Sequence, residues 1–383
     1  MKIAVLTSGV MPVPATRGGA VENLVDFYLE YNEQHQLHDI TVYSIADKSV
    51  LHHPALQSKV NHYRYINPNT LWAKIRQKLQ FKHGNYYNPS IEYYLHQALR
   101  HIRGQHYDMV IVENRPGYIL KLRAQTEARC VLHLHNDFLN AKSKQAANIV
   151  KGYDKIICVS DYITQRIPNG EQKSETVHNA IDIQHFQHAQ PIDRKVLGLS
   201  DDDFVIVYSG RLNKDKGILP LIEAFKSLTD IPRIKLLIVG ASTYGKDTVT
   251  PFIRQLQEAA APVRDSIITT GFVDYQQVPS YLKMADIAVV PSQWEEPFGL
   301  TIVEAMAAGV PLIATRSGGI PEICEGTAIL VNREDTTQLA EAIRTLYQHP
   351  EQRLQLSKTA LERSLQFSKE RYAEQFFESL TNL

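Results

Sequence analysis

The stretch Ile287-Ala-Val-Val-Pro291-Ser-Gln-Trp-Glu-Glu296-Pro-Phe-Gly-Leu-Thr-Ile-Val-Glu304-Ala-Met-Ala-Ala-Gly309-Val-Pro311 decides how this chain folds. Its first residues form a short apolar run that ends at Pro291, as a buried strand does. A loop follows with Glu295 and Glu296, and a helix is expected from about Phe298 to Ala308, where Gly309 suits the left-handed residue just past a helix end. The next apolar run, 312–315, is a second strand. Strand, helix, strand is the unit from which parallel sheets are built.

The same alternation runs outward in both directions. In the first half the strand candidates are 2–8, 40–45, 60–66, 109–113, 130–135 and 155–160; in the second they are 204–209, 235–239, 267–270, 287–291, 312–315 and 328–331. Two series of this kind predict an α/β protein with two Rossmann-like domains and a cleft between them. Pro191, Gly198 and the run Asp201-Asp202-Asp203 interrupt the pattern. The expected division is therefore 1–187, 188–365 and a final segment, 366–383. In that segment Tyr372, Phe376 and Phe377 predict an apolar-faced helix returning across the joint to the first domain.

Length and composition agree with this organisation. At about 150 residues per domain, 383 residues fit two domains. Lys plus Arg and Asp plus Glu both total 41, so no global field exists to hold a polyanion, and nucleic acid is not an expected partner. Cys130, Cys158 and Cys324 lack the spacing of a disulfide framework or a zinc site. They read as buried thiols in a reducing, cytoplasmic setting, and no run approaches the roughly 20 apolar residues of a membrane span. Neutrality is nevertheless a sum. Between Leu51 and Tyr107 stand Lys59, Arg64, Lys74, Arg76, Lys78, Lys82, Arg100 and Arg103 against the single acid Glu92, in company with tyrosines, histidines and Trp72. The part from Leu71 to Lys82 has a helical apolar repeat with lysine and arginine elsewhere. It reads first as a core-facing helix with a solvated basic side, and second as a surface for the inner, anionic face of a membrane.

Several loops carry chemistry. In Pro291 to Pro311, Gly299 permits close approach of a ligand, the amides of Phe298, Gly299 and Leu300 fall at an expected helix start, a setting that attracts a phosphate, and Glu296 and Glu304 edge one site from different depths. The run Ser209-Gly-Arg211-Leu-Asn-Lys-Asp-Lys216-Gly217 places two cations beside another helix start, a setting for a diphosphate or simply a solvated basic turn. Gly18-Gly19 follows the first strand, without the three spaced glycines of a dinucleotide fingerprint. His133 and His135 lie at a strand end. Asp201 and Asp203 spell a motif used elsewhere for manganese, but they sit in the linker and read as solvated punctuation.

The string Pro-Ser-x-x-Glu-x-Pro-Phe-Gly-x-x-x-x-Glu-Ala-x-Ala-x-Gly-x-Pro, with seven residues between Glu296 and Glu304, resembles the signature of the retaining GT-B glycosyltransferases of family four, the glycosyl transferases group 1. Gly-Arg211-x-x-x-x-Lys216-Gly is similar to that family's diphosphate element, Gly271-Phe272-Val273 to its base-contacting segment, and Gly18-Gly19 to its first glycine pair. Asn179-Ala-Ile-Asp182 is similar to a family Asn-Gly-Ile-Asp element, with Ala180 in place of glycine. The resemblance implies a retaining, metal-independent enzyme with no cofactor, moving a hexose or N-acetylhexosamine from a nucleotide sugar, expected to be UDP-linked, to a glycan, lipid-linked or protein acceptor. It implies that Glu304 accepts from the ribose hydroxyls and that Arg211 and Lys216 neutralise the diphosphate. Glu296, the amides of Phe298 to Leu300, and His135 would orient the sugar; Gly18, Gly19, Phe272 and Val273 would complete the donor contacts. Alternatives on the same architecture are a sugar-nucleotide epimerase and a catalytically silent binder.

Overall fold

The computed structural model describes residues 1–80, 86–241 and 250–381. The chain divides into two compact units, Met1–Asn179 with Lys369–Leu383, and Ala180–Ser368. The division falls earlier than the expected 187/188, because the helix Ile183–His188 packs with helices of the second unit.

The first unit is built on a seven-stranded sheet of β1 (Lys2–Leu6), β2 (Asp39–Ile45), β3 (Asn61–Ile66), β4 (Met109–Glu113), β5 (Arg129–Leu134), β6 (Lys155–Cys158) and β7 (Ser174–Thr176), in the order β3-β2-β1-β4-β5-β6-β7. Every pairing is parallel. The central strands are mostly apolar, and all five residues of β4, Glu113 included, are buried, as expected where helices cover both faces of a parallel sheet. No run in the sequence announces β7. Ser174, Glu175 and Thr176 are half-buried and carry no apolar pattern; pairing with Ile156, Ile157 and Cys158 makes them a strand. The terminal helix Lys369–Thr381 buries Tyr372, Phe376 and Phe377, and Phe376 stacks on Tyr28 at 4.5 Å.

The second unit has six parallel strands, β8 (Phe204–Ser209), β9 (Ile234–Val239), β10 (Ile267–Gly271), β11 (Ile287–Val290), β12 (Leu312–Thr315) and β13 (Ile329–Val331), ordered β10-β9-β8-β11-β12-β13. In each unit the order reverses once, between β1 and β4 and between β8 and β11. Ligands of open α/β sheets bind beyond the carboxyl ends of the strands at that reversal. The loops found there are those after β1, β4, β8 and β11, the same loops that carry the sequence motifs.

Three further expectations are corrected. The helix after Pro291 spans Leu300–Ala307 rather than starting at Phe298, because Gly299 stands at φ 107°, outside helical space. The helix Leu71–Gln80 is not core-facing. Its buried residue is Ala73, with Gln77 half-buried, while Leu71, Trp72, Ile75 and Leu79 are exposed. At about 100° per residue those four share one arc opposite Ala73 and Gln77. Small or polar side chains face the protein and the apolar arc faces water, flanked by Lys74 and Lys78 on one side and Arg76 on the other. Phe81 and Lys82, the end of the segment discussed above, lie outside the described residues. Asp203 is also less solvated than expected: its carboxylate is buried and accepts from the Ser200 amide at 2.7 Å.

Candidate functional site

In the second unit the loops after β8 and β11 are locked together by backbone. Gly217, at φ 73°, begins the helix Ile218–Lys226, and a Cβ there would overlap the Pro291 carbonyl oxygen. Gly318, at φ 56°, lies equally tight against the backbone of Glu296. The Gln293 amide donates to the Asp215 carbonyl at 2.7 Å, and the Gly319 amide to the Glu296 carbonyl at 2.8 Å. Adjacent acids take different work. Glu295 is outside, pairing with Arg333 at 2.9 Å and accepting from the Gly318 amide at 2.8 Å. Glu296 is buried, accepting from Lys216 Nζ at 2.5 Å and from Ser292 Oγ at 2.9 Å. Lys216 also lies 5.6 Å from the Trp294 ring.

Glu304, on the helix Leu300–Ala307, is buried rather than on a solvated face. Burial pushes its carboxyl up to about 7, opposed by a hydrogen bond from Tyr275 and the charge of Lys216. Ion pairing therefore joins Lys216 to Glu296, and its field reaches Glu304. Arg211 is exposed, its own carbonyl held by the Tyr208 hydroxyl at 2.8 Å. Phe272 is exposed and Val273 half-buried. Phe298 is buried and packs edge-on against Phe367 at 5.7 Å, so its side chain serves the core. Tyr275 went unnoticed in the sequence, where a lone tyrosine beyond the Gly271-Phe-Val segment carries no signal.

The first unit holds the remaining candidates. Gly18 and Gly19 stand at φ 71° and 117°, and a Cβ on Gly19 would overlap the Glu22 carboxylate, which is itself buried and within 3.3 Å of Ser8 Oγ. His135, just past β5, is buried with Nε2 2.9 Å from Glu113 Oε2. His133 Nδ1 lies 3.1 Å from the same oxygen, and the Tyr28 hydroxyl donates to Glu113 Oε1 at 2.9 Å. Burial opposes ionisation of Glu113, yet its histidine partners hold it down to about 2. Burial and the neighbouring His133 bring His135 down to about 4, against the opposing pull of Glu113. Glu113, His133 and His135 are the one group of possible metal ligands among the described residues. Their facing atoms are engaged with one another, so an ion would have to displace those hydrogen bonds. Glu113 was also missed in the sequence, since a glutamate at a strand end is unremarkable until its partners are known. Cys130, Cys158 and Cys324 are buried and unpaired as thiols.

The described residues contain no helix long and apolar enough to cross a membrane. Over 94% of this chain and 93% of its own length, spore coat protein SA of Bacillus subtilis is 29% identical. The lipopolysaccharide 1,2-N-acetylglucosaminetransferase of Salmonella typhimurium is 31% identical over 56% of each protein. Among solved structures, HepE of Anabaena in complex with UDP superposes with a TM-score of 0.77 at 21% identity, over 100% of both chains. Residues 189–363, within the second unit, match the model of the family described as glycosyl transferases group 1, and the two parallel sheets of seven and six strands give the chain the GT-B fold.

Proposed function

We propose that the protein is a retaining, metal-independent glycosyltransferase that takes a hexose or N-acetylhexosamine from a UDP-sugar. The observation that carries this is the cluster in the second unit: Lys216 beside buried Glu296, its charge reaching buried Glu304, which accepts from the exposed Tyr275. Glu304 is the acceptor for the ribose hydroxyls. Lys216 and Arg211 supply the positive charge that a departing diphosphate needs, which is where preorganised electrostatics contributes most to such a reaction. Glu296, the amides of Phe298, Gly299 and Leu300, and His135 orient the sugar, while Gly18, Gly19, Phe272 and Val273 complete the donor contacts. No side chain is assigned as nucleophile. The leaving phosphate takes the acceptor's proton on the face it vacates, as an oxocarbenium-like centre forms. UDP as the nucleotide is supported by the UDP complex of HepE, and a glycan or lipid-linked acceptor by the lipopolysaccharide enzyme.

A thermal-shift screen over UDP-, GDP- and ADP-sugars tests the donor, because a ligand that binds only the folded state raises the melting temperature by mass action. A UDP-sugar should give the largest shift, undiminished by EDTA. No shift with any nucleotide sugar, or a shift abolished by EDTA and restored by a divalent cation, refutes the reading. Incubation with donor alone that yields an epimer would favour the epimerase.

The exposed arc of Leu71, Trp72, Ile75 and Leu79, flanked by Lys74, Arg76 and Lys78, is the side of the enzyme that rests on an anionic bilayer at the inner face of the membrane. An apolar strip bordered by cations is the form an interfacial helix takes. Co-sedimentation with phosphatidylglycerol vesicles should fall sharply in a Lys74→Glu, Arg76→Glu, Lys78→Glu variant. Equal sedimentation of the two proteins refutes it.

A further inference from the structure

Arg115 follows β4 in a loop that is pinned on both sides. Asn114, before it, stands at φ 56°, gives its amide to the His133 carbonyl at 2.8 Å and accepts from the His135 amide at 3.1 Å. After it, a Cβ on Gly117 would overlap the Tyr86 ring, and the Gly117 amide donates to the Tyr87 hydroxyl at 3.0 Å. The guanidinium is fixed too. Its Nε donates to the Ser8 carbonyl at 3.1 Å, an oxygen that also accepts from the Tyr118 hydroxyl at 3.1 Å, and its centre lies 5.3 Å from the Tyr87 ring. Ser8 and Arg115 stand past the carboxyl ends of β1 and β4, where the strand order of the first unit reverses. Ligands of open parallel sheets bind at such a reversal.

Charge and donors are left over at this point. The side chain is half-buried, yet Nη1 and Nη2 donate to nothing among the described residues, and neither is sealed from solvent. The charge of Arg115 reaches the buried Glu22, but among the described residues the guanidinium forms no ion pair. One Glu22 oxygen lies against Ser8 Oγ, and the other stands where a Cβ of Gly19 would be. Held by one edge and one face, the guanidinium presents its remaining edge, a planar pair of N–H donors that matches the two oxygens of a phosphate or carboxylate. Burial raises the Glu22 carboxyl, which lessens its repulsion of a second anion.

We propose that Arg115 binds an oxyanion carried by the acceptor, a phosphate or a carboxylate, through Nη1 and Nη2. The assignment to the acceptor rests on the glycosyltransferase reading, in which Arg211 and Lys216 of the second unit already take the donor diphosphate. That Arg115 binds an oxyanion rests on the geometry of the first unit alone.

The test uses the full chain labelled with 15N in arginine, with Arg115→Lys to assign the Nε–H signal and excess UDP to occupy the second unit. Methyl phosphate and acetate are the probes, each compared with sodium chloride at the same ionic strength. One or both should move the Arg115 signal along a saturating curve while chloride does not; the tighter probe names the source, a phosphorylated acceptor or an acidic sugar. Arg115→Gln can still donate to the Ser8 carbonyl, and by calorimetry it should bind that probe roughly tenfold more weakly or worse, the value of one hydrogen bond to a charged group. An Arg115 signal that neither probe moves, or an unchanged probe affinity in Arg115→Gln, overturns the proposal. So does a variant whose UDP affinity falls as far as its probe affinity, since Arg115 would then serve the donor. If the wild type does not bind UDP, the donor reading fails, and the same titration without UDP still decides whether Arg115 takes an oxyanion.

Discussion

Replacing Glu304 by glutamine should make the protein more stable at pH 8 and leave it nearly unchanged at pH 5. Burial moves this carboxyl from 4.5 to about 7 in the folded protein. Between those values the folded state holds a proton that the unfolded chain has lost, so stability falls as pH rises through the interval and the loss is complete above pH 7. A difference of about 2.5 pH units at 1.36 kcal/mol each makes the full loss about 3 kcal/mol. Glutamine has no proton to lose and can still accept from the Tyr275 hydroxyl, so it avoids the penalty. For a unit of this size, at about 2 to 4 °C per kcal/mol, the variant should melt roughly 6 to 12 °C higher at pH 8. The assay is the melting temperature of both proteins at half-unit steps from pH 5 to 9, without ligand. Melting curves that stay parallel across that range refute the argument, because they would mean that Glu304 ionises as an ordinary carboxylate. Donor affinity should move the opposite way: if the carboxylate receives the ribose hydroxyls, wild-type affinity declines below pH 7 while the variant binds weakly at every pH.

Three further outcomes follow from the same geometry. Gly217→Ala combines a left-handed φ of 73° with overlap on the Pro291 carbonyl, so it should cost at least about 2 kcal/mol and lower the melting temperature even without ligand; an unchanged value would contradict the described approach of the two loops. Lys216→Met leaves Glu296 buried without its cation and removes a phosphate partner. UDP affinity should fall roughly 30-fold or more, the value of a charged hydrogen bond of about 2 to 3 kcal/mol, and the salt dependence of binding should flatten in parallel. Phe376→Ala opens the cover over Tyr28 and His133 and should destabilise the first unit by about 3 to 5 kcal/mol, read as a lowered midpoint in urea.

The sequence by itself determined the layering. Apolar runs such as those of β1, β4, β8 and β11, each alternating with a helical period, suit strands of parallel sheets buried on both faces, and their two series set two such sheets. It also determined the type of chemistry in the second unit, because Gly217, Lys216, Glu296 and Glu304 lie in continuous local strings whose spacing survives folding. Tertiary structure alone decided what each group can do. Glu295 and Glu296 are neighbours in sequence, and only the approach of the β8 loop gives one of them Lys216 and leaves the other to Arg333. The helix Leu71–Gln80 has the same apolar period whichever way it faces, and its packing, against the helix Pro89–Ile102 among others and with Ala73 buried, turned that period outward. Glu113 depends on this most. Its partners come from residues 28, 133 and 135 and its cover from residue 376, a separation no local pattern encodes, because the affinity of a buried carboxylate for protons is set by what surrounds it in space.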